Sequence, residues 1–322
     1  MKKILIVCSF LSMLLLIACG GGAGGGSNNS SSNQNSSGSS VSIDVFSQVS
    51  LSSPGFITQS TNTGDTSIYV TDSTATGTIW KLAGDTGALI TQSTFQAANG
   101  IVSNAGSIFV TGTGSNNNGQ RIFNISNLTT PLIADNNHNF GGIISFSSSV
   151  LYAADTASTL AIFSINANTI TPATPATCAL SNPPTALASD GTNIYITSIG
   201  FSKLMRVASD CSHYTEIASY TDSSTGSLVN FSHPVGMAVL GGYLYILDQG
   251  NGDNGAIIKM NLSTGQGRII VSNTVGNWPA NKVGLCGGFG LAVSNDNLHL
   301  YATNRSCTTN TVNANTILRI TL

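Results

Sequence analysis

Six short stretches of the sequence repeat one pattern, and this repetition decides the fold. Residues 67–72 read SIYVTD, an apolar run with a central aromatic side chain and a polar end. Equivalent runs are SIFVTG at 107–112, LYAAD at 151–155, IYITS at 194–198, LYILD at 244–248 and LYATN at 300–304. Their aromatic positions, Tyr69, Phe109, Tyr152, Tyr195, Tyr245 and Tyr301, are 40, 43, 43, 50 and 56 residues apart. Periods of this size are typical of a repeat architecture.

Each repeat contains four predicted strands. A short apolar stretch such as GGII at 141–144 comes first, and the aromatic-centred strand follows after a tight polar turn. A third run such as TIWKL at 78–82 and a fourth such as ALITQ at 88–92 complete the unit. Thr, Ile, Val and Tyr favour strands, and no stretch between them shows sustained helical periodicity. We therefore predict an all-β, six-bladed β-propeller of four-stranded blades.

The two ends of the propeller sequence predict how the ring closes. The last repeat stops after its third strand, ILRITL at 317–322, whereas residues 41–51, VSIDVFSQVSL, precede the first repeat. We expect residues 41–51 to supply the fourth strand of the last blade. This pairing would close the ring and cover an edge that otherwise invites association with other chains.

The sequence pattern of the repeats resembles that of a group of known propellers. The pattern P-x-G-hydrophobic, then hYhTD, then I-h-K-h (h, hydrophobic) is similar to NHL-type, streptogramin-lyase, gluconolactonase-like and YVTN propellers over residues 42–322. Gluconolactonase-like propellers hold a central metal through Glu, Asn and Asp. The only glutamate here is Glu216, in a predicted outer strand, so that site is not carried over. The streptogramin-lyase resemblance implies a His–acid pair, for which His233 and Asp248 are the nearest candidates.

The N-terminus has the layout of a secretory signal. The charged MKK precedes the apolar ILIVCSFLSMLLLI, and residues 16–19, LIAC, followed by Gly20 resemble the lipobox of bacterial lipoproteins. The resemblance implies that 1–18 are a cleaved signal peptide and that Cys19 carries acyl chains such as palmitate. The alternative is an ordinary cleaved signal. Under the lipoprotein interpretation, residues 19–40 are the lipidated cysteine and a flexible Gly/Ser/Asn tether, and 41–322 are the propeller.

Composition limits the partners of this chain. Charged residues make up 7% of the sequence, against about 25% in typical soluble domains, and the formal net charge is −2. The sequence contains no basic patch for a phosphate backbone, so no nucleic acid is expected.

Because Gly20 stands where an inner-membrane lipoprotein tends to have Asp, we expect an outer-membrane lipoprotein of the cell envelope. The side of the membrane stays open.

Loops between second and third strands gather on one face of a propeller, which we call the loop-rich face. Asp72, Asp155 and Asp248 end their strands there in the same register. An Asp in this position commonly hydrogen-bonds the backbone of its own loop. The alternative is a Ca²⁺ site, because Asp248, Asn251 and Asp253 offer closely spaced oxygen ligands, although not in EF-hand order.

Three long insertions, 219–235, 272–288 and 303–316, are also expected on the loop-rich face near blades five and six. They would bring together a candidate ligand-binding set: Tyr220, Phe231, His233, Trp278 and Arg305. Aromatic and polar side chains suit a carbohydrate or peptide ligand. In the alternative interpretation, Phe231 and Trp278 pack their own loops and His233 anchors its loop.

Four cysteines of the propeller predict two disulfides in an exported chain. Cys286 and Cys307 fall in loops of the last blade and form the first expected pair. Cys178 and Cys211 form the second. Both are assigned to blade four, although the predicted register places them at opposite ends of that blade. None of the four forms a CxxC motif, which argues against zinc or thiol-redox chemistry.

The sequence as a whole predicts a membrane-anchored binding or scaffold propeller that engages a ligand or an envelope protein through its loop-rich face. It favours binding over catalysis, and no cofactor is certain. The alternative is a small-molecule lyase or a lactonase-like hydrolase.

Overall fold

The computed structural model describes residues 41–74, 76–113, 121–133, 138–155, 159–166, 169–198, 200–250, 254–278, 284–305 and 314–322, with only the backbone of 166 and 173–176. All of them belong to one compact unit, Ser39–Leu322. Every regular element within these ranges is a β-strand. None of the described residues forms a helix long and apolar enough to span a bilayer.

The strands form six blades around an axis. Strand β1 (Ser42–Val45) precedes blade one, which contains β2 (Pro54–Gln59), β3 (Ile68–Asp72), β4 (Thr78–Leu82) and β5 (Leu89–Thr94). Blade two contains β6 (Ile101–Asn104), β7 (Ser107–Gly112) and β8 (Arg121–Asn124). Blade three contains β9 (Phe140–Ser147), β10 (Val150–Asp155), β11 (Thr159–Asn166) and β12 (Thr169–Ala179).

The second half of the ring has the same organisation. Blade four contains β13 (Leu187–Ser189), β14 (Asn193–Thr197), β15 (Leu204–Ala208) and β16 (Tyr214–Ile217). After β17 (Ser219–Asp222) and β18 (Leu228–Asn230), blade five contains β19 (Pro234–Leu240), β20 (Tyr243–Asp248), β21 (Ala256–Asn261) and β22 (Gln266–Ser272). Blade six contains β23 (Leu291–Val293), β24 (His299–Asn304) and β25 (Thr316–Thr321).

The predicted six-bladed β-propeller is confirmed. Neighbouring strands of each blade pair antiparallel in chain order. Five blades have the four expected strands, and blade two has three within the described part of the chain. The fourth strand of blade six is β1, whose register with β25 runs from Ser42↔Thr321 to Val45↔Leu318.

Residues 41–51 close the ring as predicted, although their strand ends at Val45. Phe46 then packs its ring on Tyr301, with centroids 5.0 Å apart. The hydroxyl of Ser47 accepts a hydrogen bond from Ile317 N at 3.1 Å. The segment therefore leaves the strand but stays attached to blade six.

The six aromatic positions of the repeat all lie in second strands and are at most 7% exposed. Each lies in an apolar cluster shared by neighbouring blades; Tyr69 of blade one, for example, packs with Ile108 and Val110 of blade two. Fully burying one aliphatic side chain of such a cluster, for example Ile108, stabilises the fold by about 1.5–3 kcal/mol. The repeat therefore encodes contacts between blades as well as the blades themselves.

Four buried threonines provide a polar connection between blades that the sequence analysis did not anticipate. Each hydroxyl donates to a backbone carbonyl of the following blade: Thr71 to Asn99 O at 2.7 Å, Thr111 to Gly141 O at 2.6 Å, Thr197 to Val235 O at 3.1 Å and Thr303 to Gly55 O at 2.8 Å. The same hydroxyls accept backbone N–H groups of their own blades; Gly290 N, for example, donates to Thr303 at 2.8 Å. In blades three and five this position holds Ala154 and Leu247.

The insertion at 219–235 is not the loop that the sequence predicted. Strands β17 and β18 form a hairpin, and β17 pairs in parallel with β22 through Thr221↔Gln266 and Asp222↔Gly267. The sheet of blade five therefore has six strands. The alternation SYTD and LVN was too short to distinguish from loop before its pairing partner was known.

The predicted disulfide between Cys178 and Cys211 is confirmed, with Cα atoms 5.4 Å apart. The assignment of both cysteines to blade four was wrong. Strand β12 extends through Cys178, which therefore belongs to the outer strand of blade three, and Cys211 lies between β15 and β16. The bond thus connects adjacent blades. Cys286 is buried and disulfide-bonded, but Cys307 lies outside the described residues, so their pairing stays a prediction.

Candidate functional site

The axis of the ring is a narrow space lined by the first strands of all six blades. Its wall is of mixed polarity, with Ile57, Ile101, Ile143, Leu187 and Leu291 among the lining residues of a cavity of about 250 Å³. A second cavity, of about 300 Å³, opens where these strands begin, at the loop-rich face. Its wall includes Phe56, Asn99, Thr185, Phe289 and Arg305.

Arg305 is the charged side chain in the wall of this second cavity, which we call the mouth cavity. It follows β24, and its guanidinium lies over the ring of Phe289 at 4.2 Å. Its Nε donates to Pro54 O at 3.0 Å, and its terminal nitrogen donates to the hydroxyl of Ser73. Burial lowers the pKa of Arg305 below its usual value, and the negative charge of Asp72 partly offsets this decrease. These contacts hold a cation in one orientation at the junction of blades six and one.

The aspartates that end the second strands accept hydrogen bonds from the backbone that leads into the first strand of their own blades. Asp72 accepts from Ser52 N at 2.9 Å and Ser53 N at 3.1 Å. Asp248 accepts from Ser232 N at 2.8 Å, His233 N at 2.7 Å and Gly250 N at 2.9 Å. These contacts are those of the loop-shaping interpretation, and they explain why the carboxylates are almost fully buried.

The Ca²⁺ candidate is only partly visible. Asn251 and Asp253 lie outside the described residues, and the carboxylate of Asp248 already accepts three backbone N–H groups. Among the residues that the structure describes, no group of three His, Cys, Asp or Glu side chains could hold a metal. A Ca²⁺ site at this loop therefore stays a prediction.

His233 and Asp248 do not form the proton-transfer pair that the resemblance implied. The backbone N–H of His233 contacts the carboxylate, whereas the imidazole Nδ1 lies 3.1 Å from Gly250 O. The side chain is exposed and contacts its own loop. This is the loop-anchoring role of the alternative interpretation.

A His–Asp pair exists in blade three instead. His138 Nδ1 lies 2.5 Å from Asp155 Oδ2, and the imidazole stacks on Phe140 with centroids 5.2 Å apart. Sequence reasoning missed this pair because His138 lies in a polar loop and carries no motif that names its partner. The available signal was register: His138 precedes the first strand of its blade, as His233 does in blade five.

The predicted ligand-binding set does not assemble. Tyr220 and Phe231 are each 2% exposed and pack together, with centroids 5.8 Å apart, in the core between blades four and five. Burial raises the pKa of Tyr220. Trp278 donates its Nε1 to Ser272 O at 2.8 Å and packs against the core of blades five and six. Of the five residues, Arg305 alone lines the mouth cavity.

Glu216 lies in the outer strand β16, as predicted, and forms an ion pair with Lys203 at 2.7 Å. Its position at the periphery of blade four separates it from the axis. The glutamate of a gluconolactonase-like metal site is therefore not supplied by this residue.

Comparison with known proteins supports the fold. No protein-family model and no curated protein sequence matches the chain. A gluconolactonase from Xanthomonas campestris has a similar structure, with a TM-score of 0.59 and 11% identity over 88% of this chain and 89% of that one. A streptogramin B lyase gives a TM-score of 0.50 and 13% identity, over 88% of this chain and 98% of that one.

A third similar structure is a regucalcin from Agrobacterium tumefaciens, described as a calcium-binding protein. Its TM-score is 0.58, with 13% identity over 86% of this chain and 92% of that one. At such low identities, the similarity shows the propeller architecture alone. The function must therefore be argued from the residues of this chain.

Proposed function

We propose that this protein is an exported, lipid-anchored propeller of the cell envelope that binds a small carbohydrate or peptide ligand in the mouth cavity. The observation that carries the proposal is the guanidinium of Arg305, fixed over Phe289 in the wall of a cavity of about 300 Å³. A fixed guanidinium suits a ligand carboxylate or hydroxyl, and Phe56 and Phe289 supply apolar surface. Contacts to Pro54 and Ser73 reduce the cost of ordering the cation on binding.

The test is ligand-observed NMR with the full-length chain and a panel of monosaccharides, uronic acids and dipeptides. Thr185→Tyr should fill the cavity and abolish saturation transfer to any binder. The control Phe201→Ser, at a partly exposed position in the loop between β14 and β15, should leave the signal unchanged. Binding that survives Thr185→Tyr, or no binder in the panel, would contradict the proposal.

The proposed anchor has a separate test. Cys19→Ala should remove the acylation site and release the chain from the membrane fraction of expressing cells. Metabolic labelling with a palmitate analogue should mark the parent chain and leave the variant unmarked. Labelling of the variant would contradict anchoring through Cys19.

A second candidate function is small-molecule hydrolysis or lyase chemistry, favoured by the His138–Asp155 contact at 2.5 Å. A buried carboxylate next to an imidazole can orient it as a general base. Lactone turnover by the parent chain that is lost in His138→Asn would support this function. The absence of turnover, or its persistence in His138→Asn, would count against it.

A further inference from the structure

Four blades place a cation at the same point of the third strand, directly opposite the aromatic residue of the second strand. The pairs are Tyr69↔Lys81, Tyr195↔Arg206, Tyr245↔Lys259 and Tyr301↔Arg319. The residue opposite this cation on the outer strand differs between blades. It is Thr91 in blade one, Thr215 in blade four and Asp44 in blade six.

Blade five departs from this arrangement. Lys259 is directly opposite Arg268 of β22. Like charges in this position destabilise a sheet, because their side chains share one face about 5 Å apart. Few residues of this chain are charged, and Thr stands at two equivalent positions, so the cation pair is unusual here; an anion bound between the two side chains would relieve their repulsion.

The two cations have no carboxylate partner among the residues that the structure describes. Lys81 is 3.6 Å from Asp65 and Arg319 is 3.8 Å from Asp44, but within the described part of the chain neither Lys259 nor Arg268 has a carboxylate within 4.0 Å. The strand paired with β22 on its outer side is β17, where Oδ1 of Asp222 accepts hydrogen bonds from Ser224 and Thr225 of its own turn. Its Oδ1 is therefore engaged in that turn, and the carboxylate forms no ion pair with either cation.

The surrounding side chains form a pocket. Lys259 and Arg268 line a cavity of about 290 Å³ together with Tyr243, Asn261, Gln266 and Ser223. The ammonium of Lys259 lies 4.3 Å from the centre of the Tyr243 ring, which holds it beside an aromatic surface. The hairpin β17–β18 contributes Ser223, so the insertion that extends blade five also helps to form this pocket. Tyr243 is at the end of β20 opposite to Asp248, which separates the pocket from the mouth cavity.

We propose that this pocket is an oxyanion-binding site for a phosphate or sulfate group carried by a small molecule or a sugar. The anion would bind between Lys259 and Arg268 and replace their repulsion with two charge-assisted contacts. Asn261 and Gln266 supply amide donors, and Tyr243 offers a ring to the remainder of the ligand. This site is independent of the ligand proposed for the mouth cavity.

The experiment compares the full-length parent chain with Arg268→Thr, which installs the residue found in blades one and four. Thermal unfolding is followed in low millimolar inorganic phosphate, in a sugar phosphate, and in chloride of equal ionic strength. The parent chain should unfold at a higher temperature with phosphate or sugar phosphate than with chloride. Arg268→Thr should lose this rise and bind at least about tenfold more weakly by calorimetry.

Two controls make the result specific. In chloride, Arg268→Thr should be at least as stable as the parent, because a repulsion has been removed; a merely misfolded variant would be less stable. Arg206→Thr, which removes the equivalent cation of blade four, should keep the anion-dependent rise. A larger effect of the sugar phosphate would show that the sugar contributes. No rise with either anion, or an equal rise in Arg268→Thr, would overturn the proposal.

Discussion

Blades five and six use the same sheet position in opposite ways. In blade six, Arg319 faces Asp44 of the closing strand, and the charge is neutralised within the protein. In blade five, Lys259 faces Arg268, and polar side chains of the same blade, with Ser223 from the insertion, surround the pair. The comparison shows that a repeat can keep its backbone and core while one outer position holds either an acidic partner on the closing strand or a second cation.

Closure of the ring is the feature of blade six with the largest expected effect. Deleting residues 41–47 removes the buried side chains of Ile43 and Phe46 and exposes the edge of β25. We expect a loss of roughly 3–6 kcal/mol, from about 1.5–3 kcal/mol for each large apolar side chain. Urea-induced unfolding measures the change. Deleting seven residues of the tether, 27–33, is the matched control, and an equal loss there would contradict the role of β1.

Alkaline pH should test the buried tyrosines of both blades. Burial raises the pKa of Tyr245 and of Tyr301; the charge of Arg319 partly offsets the rise for Tyr301. Because the folded-state pKa is raised, the stability from these phenols is complete below the unfolded value of about 10 and is lost as pH rises through the folded values. Tyrosinate absorbance should therefore increase together with unfolding. The double variant Tyr245→Phe/Tyr301→Phe should move this transition to higher pH, and an unchanged transition would refute the explanation.

The threonine hydroxyls are a further difference between the two blades. Blade six has Thr303 at the position where blade five has Leu247. Thr303→Val removes a donor to Gly55 O and leaves Gly290 N without its acceptor. We expect a loss of about 1–3 kcal/mol in the free energy of unfolding. Thr303→Ser keeps the hydroxyl and should cost less. Equal losses in the two variants would indicate packing of the methyl group instead.

Exchanging the charges of the two blades should give the smallest effect. Arg268→Asp gives blade five the arrangement of blade six and should stabilise the protein by up to about 1 kcal/mol without phosphate. Asp44→Arg gives blade six the arrangement of blade five and should destabilise it by a similar amount. Both changes should shrink at high salt, because exposed charges are screened. Salt-independent changes would contradict an electrostatic origin.

The sequence by itself determined the architecture. Six aromatic-centred strands at regular spacing, each followed by a strand of the TIWKL kind, predicted the number of blades, because a β-repeat buries its apolar face only against its neighbours. The incomplete last repeat and the strand-like residues 41–51 predicted the closure. The position of Glu216 in an outer strand also followed from local alternation.

Only the tertiary structure decided which side chains meet. Tyr220 and Phe231 have the residue types of a ligand site, but the hairpin β17–β18 pairs with blade five and buries them. His138 meets Asp155 and Lys259 meets Arg268 through blade packing and strand pairing, and the predicted Cys178–Cys211 bond connects two blades instead of lying within blade four. The physical reason is that local periodicity fixes the strands, whereas the partner of a side chain depends on register and on neighbouring blades, which long-range packing sets.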